Sequence, residues 1–182
     1  LEETMRYQTL CSGSAMGFYS RMHIPGIDWL GRRPGNPVIV KQVASAAAQA
    51  GRELVLSEMF AAAGWNATLA DLKRIAEWQY ALGINLTCTH LYAYSQTGMR
   101  KKDHPPGISY QSNWWEKCRA FNDTFSRLGM LMSQGEPGEQ LLVIHPLRSV
   151  WVAFDAQCTE RGGNGETERL DGLLTELAGL LT

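Results

Sequence analysis

Leu54-Val-Leu-Ser-Glu-Met-Phe60 and Gly83-Ile-Asn-Leu-Thr-Cys-Thr-His-Leu-Tyr-Ala-Tyr-Ser95 are the stretches whose reading decides the fold. Leu54–Leu56 is a short apolar run that leads into a carboxylate, Glu58. Ile84–Thr89 is a second β-rich run and leads into His90. Between them Leu69, Leu72, Ile75, Ala76 and Gln79 recur at helical spacing, and Thr68 with Asp71 three residues on forms a capping pattern. This is a strand–helix–strand unit with polar groups at the C-terminal ends of both strands. In parallel α/β folds that end carries ligands and chemistry.

The same grammar extends outward on both sides. Upstream, Asn36 and Pro37 are a cap and first turn for an alanine-rich helix over Val38–Ala50, which Gly51 ends. Arg52–Ser57 reads as the strand that follows. Before that helix, His23–Gly31 reads as a strand end and loop with Asp28 as its polar group, and Met16–Ile24 as a short helix or strand. Downstream, the spacing predicts a long loop over Leu91–Asn113 and a helix over Trp114–Gln134. A loop of that length in a compact domain is uncommon and often functional. Gln140–His145 reads as a third apolar strand, residues 156–167 as a glycine-rich link, and Glu168–Leu181 as a leucine-faced helix that needs a partner surface.

Composition narrows the function. The chain has 182 residues, 45% hydrophobic and 19% charged, so a sizeable core is expected rather than disorder. Net charge is −1 and no basic block stands out, which argues against nucleic acid as a partner. No apolar run reaches membrane-span length and no signal segment is visible, so the expectation is a soluble chain of unknown location without membrane attachment. Cys11, Cys88, Cys118 and Cys158 form no Cys-x-x-Cys pair and the four histidines are scattered, so free thiols are expected, and no metal site or cofactor. Trp65, Tyr92, Tyr94, Tyr110, Trp114 and Trp115 fall in or near expected loops. Flat rings there offer a face to sugar C–H groups or to nucleobases, whereas most aromatics simply pack.

The order Pro25-Gly-Ile-Asp-Trp-Leu-Gly31, Leu56-Ser-Glu-Met-Phe60, Gly64-Trp-Asn-Ala-Thr68, Gly83-Ile-Asn85, Thr89-His-Leu-Tyr-Ala-Tyr-Ser95, Pro105-Pro106 and Trp114-Trp115 resembles the C-terminal half of the catalytic barrel of α-L-rhamnosidase-type glycoside hydrolases, family 106-like, within the β-glycosidase-like barrels. The resemblance implies an α/β fold: residues 1–138 as the C-terminal part of a TIM (β/α)8 barrel, and 139–182 as the start of a flavodoxin-like accessory α/β domain. A whole barrel takes about 250 residues, so it also implies that the chain is a piece.

Glycoside hydrolysis needs two carboxyl groups flanking the scissile bond. The resemblance makes Glu58 one of them, at the end of strand seven, with its partner on an earlier strand outside this chain. It places Asp28 near the end of strand six and His90 at the end of strand eight. Asp28, Trp65, His90, Tyr92, Tyr94, Arg100 and Trp114 are the expected substrate-binding residues, with Trp115 expected in the core. Each has a plain structural alternative: a strand-end Glu paired with arginine, a capping Asp, a core histidine, packed aromatics and a solvated basic loop at Arg100–His104. The expected partner is a carbohydrate substrate, and an exposed parallel sheet edge invites a homodimer. A non-catalytic carbohydrate-binding or assembly module explains the aromatics equally well and needs no second carboxylate.

Overall fold

The computed structural model describes residues 4–135, 138, 141–155 and 165–182. Three parallel strands form its sheet, in the order β1 (Gly26–Trp29), β2 (Leu56–Met59) and β3 (Leu86–Thr89). Helices connect and follow them: α3 (Pro37–Gln49), α4 (Leu69–Ala81) and α5 (Cys118–Ser133). Two short helices, α1 (Met5–Cys11) and α2 (Ala15–Tyr19), precede the sheet, and α6 (Leu147–Ala153) and α7 (Gly165–Leu181) follow α5. The edges of β1 and β3 pair with no further strand among the described residues.

Local chemistry sets the helix boundaries. The Asn36 side chain accepts from the Val38 N–H, with proline in the first turn of α3. Thr68 and Asp71 close a reciprocal capping box on α4, and these bonds hold the Asp71 carboxyl below its usual range. Gly83 ends the α4 turn at φ 114°, where a Cβ would come within 2.7 Å of the Ala44 methyl. Gly129 lets α5 approach β3, because a Cβ there would lie 2.5 Å from the Asn85 carbonyl oxygen.

The core lies between the sheet and its helices. Ile27, Trp29 and Met59 pack in one cluster with Val40, Val43, Ala47, Leu72, Ile75, Ala76 and Phe125. Buried Asn85 clamps the entry of β2. Its Oδ1 accepts from the Val55 N–H at 2.8 Å, and its Nδ2 donates to the Glu53 carbonyl at 2.7 Å. With both ends engaged, this Asn-Leu-Thr triplet offers no free amide for glycosylation.

Residues 141–145, expected as a third apolar strand, pair with nothing in the sheet. Leu142 and Ile144 point to solvent, 83% and 86% exposed. The segment instead lines a groove of about 640 Å³ with α3 and α7. An apolar run becomes a strand only beside an edge, and this one runs beside helices. The leucine-rich α7 packs on α1, α3 and α6, with Leu170 and Leu174 against Met5, Leu147 and Val150. Leu180 stays 79% exposed. Cys158, the glycine-rich link over 156–164 and Gln140 lie outside the described residues. Cys11, Cys88 and Cys118 are free thiols. No described helix is long and apolar enough to cross a membrane.

Candidate active site

The register of the three strands assembles the site. Gly26 pairs with Leu56 and Leu56 with Leu86; Asp28 pairs with Glu58 and Glu58 with Cys88. Side chains alternate along a strand, so Asp28, Glu58 and Cys88 share the face opposite Ile27, Ser57 and Trp29. Burial agrees on β1 and β2, where Ile27, Trp29, Ser57 and Met59 are buried, Asp28 is exposed and Glu58 is half-buried; on the edge strand β3 Cys88 and Thr89 are both exposed. Neighbouring strands lie about 4.8 Å apart, so the two carboxylates leave the backbone side by side.

One signal for this row was present in the sequence: Asp28, Glu58 and Cys88 are spaced 30 residues apart, each third in its strand. One β/α unit of constant length advances the chain by one strand. The repeat lies in structural length, not residue identity, and Cys88 is its member that sequence reasoning missed. Among the described residues no three His, Cys, Asp or Glu side chains are grouped to hold a metal.

The loops after the strands are tied across one another by main-chain bonds. The Gly31 N–H donates to the Ala61 carbonyl at 2.7 Å, the Ala62 N–H to that of His104 at 3.2 Å, and the Gly64 N–H to that of Pro105 at 2.9 Å. Phe60, Ala62 and His104 take left-handed backbone angles (φ 83°, 58° and 47°), a costly conformation for side chains larger than glycine and one concentrated at functional sites. All three lie in these ties or beside them, Phe60 and Ala62 just beyond Glu58 in the chain and His104 bonded to Ala62.

His90 follows β3, its N–H bonded to the Met59 carbonyl at 2.9 Å. Its ring meets that of His104 edge-on at 6.2 Å, and its Nδ1 is buried without a partner among the described residues. The Trp65 indole N–H donates to the Lys101 carbonyl at 2.6 Å, which fastens the loop after β2 to the loop after β3. Arg100 is exposed in a 3₁₀ turn, Gly98–Lys102. Tyr94 is 97% exposed, while Tyr92 contacts the Trp115 ring at 6.1 Å.

The two adjacent tryptophans exchange the places expected of them. Trp114 packs partly buried against the core and donates to the Ala67 carbonyl at 3.1 Å; Trp115 is exposed beside Tyr92. The cause is a 3₁₀ turn over Trp115–Lys117 ahead of α5. It shifts the phase that a continuous helix from Trp114 would have. Trp114 therefore lies partly buried against the core, and Trp115 is the ring on the loop surface.

No protein-family signature matches the chain. Over 119 residues it is 29% identical to the "Putative beta-glucuronidase" of Formosa agariphila, an overlap of 63% of this chain and 10% of that protein. Its fold is similar to part of the solved rhamnosidase from Novosphingobium sp. PP1Y, with a TM-score of 0.57, 24% identity, and coverage of 66% of this chain and 13% of that one. Together they relate the chain distantly to glycoside hydrolases. The chain spans about a tenth of the length of the curated relative it matches.

Proposed function

We propose that this chain is part of a glycoside hydrolase that cleaves O-glycosidic bonds, α-L-rhamnosides being the first candidates, with Glu58 as one catalytic carboxylate. The observation that carries the reading is the row Asp28–Glu58–Cys88 on the open face of a parallel sheet. A carboxylate there is accessible, rigidly mounted and next to loops bearing exposed aromatic rings.

Asp28 does not serve as the second catalytic carboxylate. Side chains in register on neighbouring parallel strands leave the sheet in the same direction, so Asp28 and Glu58 approach a ligand from one side. Acid and nucleophile, or acid and base, must flank the glycosidic oxygen and the anomeric carbon. The general acid therefore belongs on a strand across the opening, beyond this chain, and Asp28 binds a sugar hydroxyl beside Glu58. The 182-residue chain alone then turns over no substrate.

In the hydrolase that carries this chain, Glu58→Gln lowers kcat on an aryl α-L-rhamnoside by about a thousandfold or more. One lost transition-state group accounts for that scale. Asp28→Asn raises KM more than it lowers kcat. Wild-type turnover in the Glu58→Gln enzyme rules the role out.

The free edges of β1 and β3 are where the remaining strands of a barrel, or a second copy, add to the sheet. Light scattering of the isolated chain reads the second case as a dimer, and a monodisperse monomer excludes it. The exposed rings of Tyr92, Tyr94 and Tyr110 favour a second reading, a carbohydrate-binding module. Sugar binding that survives Glu58→Gln without any turnover by the intact protein selects it.

A further inference from the structure

Eight buried side-chain polar atoms have no hydrogen-bond partner among the described residues, and five of them belong to the stretch 90–111: His90 Nδ1, Gln96 Oε1, Ser109 Oγ, and Nε2 and Oε1 of Gln111. Ser109 is entirely buried. The remaining three sit on Arg52 and Gln79, outside this loop. A buried polar group left unpaired costs about 1–3 kcal/mol, and native folds keep few of them. Five of the eight fall within 22 residues of one loop, which concentrates unused hydrogen-bonding capacity in that segment.

The loop folds back on itself around these groups. The Ile108 N–H donates to the Leu91 carbonyl at 2.7 Å, and the Ser112 N–H to the Ser109 carbonyl at 2.9 Å. Gly107 passes so close to Gln96 and Trp65 that a Cβ there would lie 2.8 and 3.1 Å from their side chains. His90 and Ser109 thus come to lie beside the paired positions 91–108 and 109–112. The stored groups are one imidazole, one hydroxyl and two carboxamides. Both donors and acceptors are present, and no carboxylate or guanidinium. That set matches the hydroxyls of a neutral sugar, each of which both donates and accepts. Exposed Tyr92 and Tyr110 on the same stretch, and Trp115 just beyond it, supply ring faces.

We propose that the loop over residues 90–113 is the specificity wall of the site, in which His90, Gln96, Ser109 and Gln111 hydrogen-bond the hydroxyls of a neutral sugar ring. This deepens the hydrolase reading and rests on it. The polar atoms are covered in the ligand-free chain, so the loop parts to admit the ring and closes with its groups paired. A site of this kind rejects an analogue that lacks the recognised hydroxyl, because its own groups are then left unpaired again.

Ser109→Ala and Gln111→Leu separate this role from a structural one, because each removes unpaired polar atoms and keeps approximate shape. Both variants should melt at or above the wild-type temperature, which also certifies that they fold. Calorimetric titration of the intact protein that carries this chain with L-rhamnose, D-mannose, D-glucose and D-galactose should find one sugar that binds. That sugar should bind about tenfold more weakly to each variant and slow hydrogen exchange over residues 90–113. Glu77→Gln, on the exposed side of α4, should keep the affinity. Equal affinity of the variants and the wild type overturns the loop's role and leaves the carbohydrate reading standing; buried water then accounts for the polar groups. An intact wild-type protein that binds none of the four sugars overturns the inference and removes the support for a carbohydrate site here.

Discussion

Toward its helices the sheet presents Ile27, Trp29, Ser57 and Met59, all buried; on its other side it presents Asp28, Glu58 and Cys88, none of them buried. The two sets alternate along β1 and β2, while on the edge strand β3 Thr87 is half-buried and Thr89 exposed. The covered face is filled by aliphatic and aromatic packing, with Trp29 against Trp78 at 4.8 Å. The open face carries ionisable and nucleophilic groups that such packing excludes. The difference teaches that stability and chemistry are separated here by one residue of register. A slip of one position would bury Glu58 and expose Met59.

That separation can be broken from either side. The largest effect is expected on the open face, where Glu58→Gln should remove about three orders of magnitude of turnover while the melting temperature stays at its wild-type value. A parallel fall in stability would mean that Glu58 belongs to the frame rather than to the chemistry. The next largest lies on the covered face. Met59 is fully buried, and Met59→Ala should cost about 2–5 kcal/mol of stability, measured by denaturant unfolding. A cost below about 1 kcal/mol would show that this face is not the core. The smallest effect separates the faces by reagent access. In a Cys11→Ser/Cys158→Ser background, Ellman's reagent should consume the exposed Cys88 in a fast phase, and the buried Cys118 only on unfolding. Burial also pushes the Cys118 thiol up from its usual pKa, which slows it further. Equal rates for the two thiols would contradict the assignment of faces.

Much of this frame was readable in advance, because the determinants are local. Asn36-Pro37 and Thr68-x-x-Asp71 announce the starts of α3 and α4 through bonds within one turn. Glycines 51 and 83 announce ends through positive φ. Strand position was read less well: the expected strand over Arg52–Ser57 is observed at Leu56–Met59. Its start is set by Asn85, 30 residues away in the chain, which takes up the Val55 N–H and the Glu53 carbonyl.

Of the site, Glu58 was legible as a carboxylate where an apolar run ends. Its alignment with Asp28 and Cys88 showed in the sequence only as an equal spacing of 30 residues, since register itself is a property of three strands together. The exchange between Trp114 and Trp115 had no periodic signal, because one 3₁₀ turn resets the helical phase. Ser109 and Gln111 look in sequence like ordinary loop polars; only folding shows that their side-chain ends are covered.

The cross-ties between loops, from Gly31 to Ala61, from Ala62 to His104 and from Gly64 to Pro105, join main chain to main chain. A bond of that kind is blind to side-chain identity, so long as its N–H donor is not proline. The rim of the sheet is therefore built like a fixed chassis with exchangeable fittings. Exposed positions such as Tyr94, Met99 or Arg100 can be varied in a library without loosening the frame that aims Glu58.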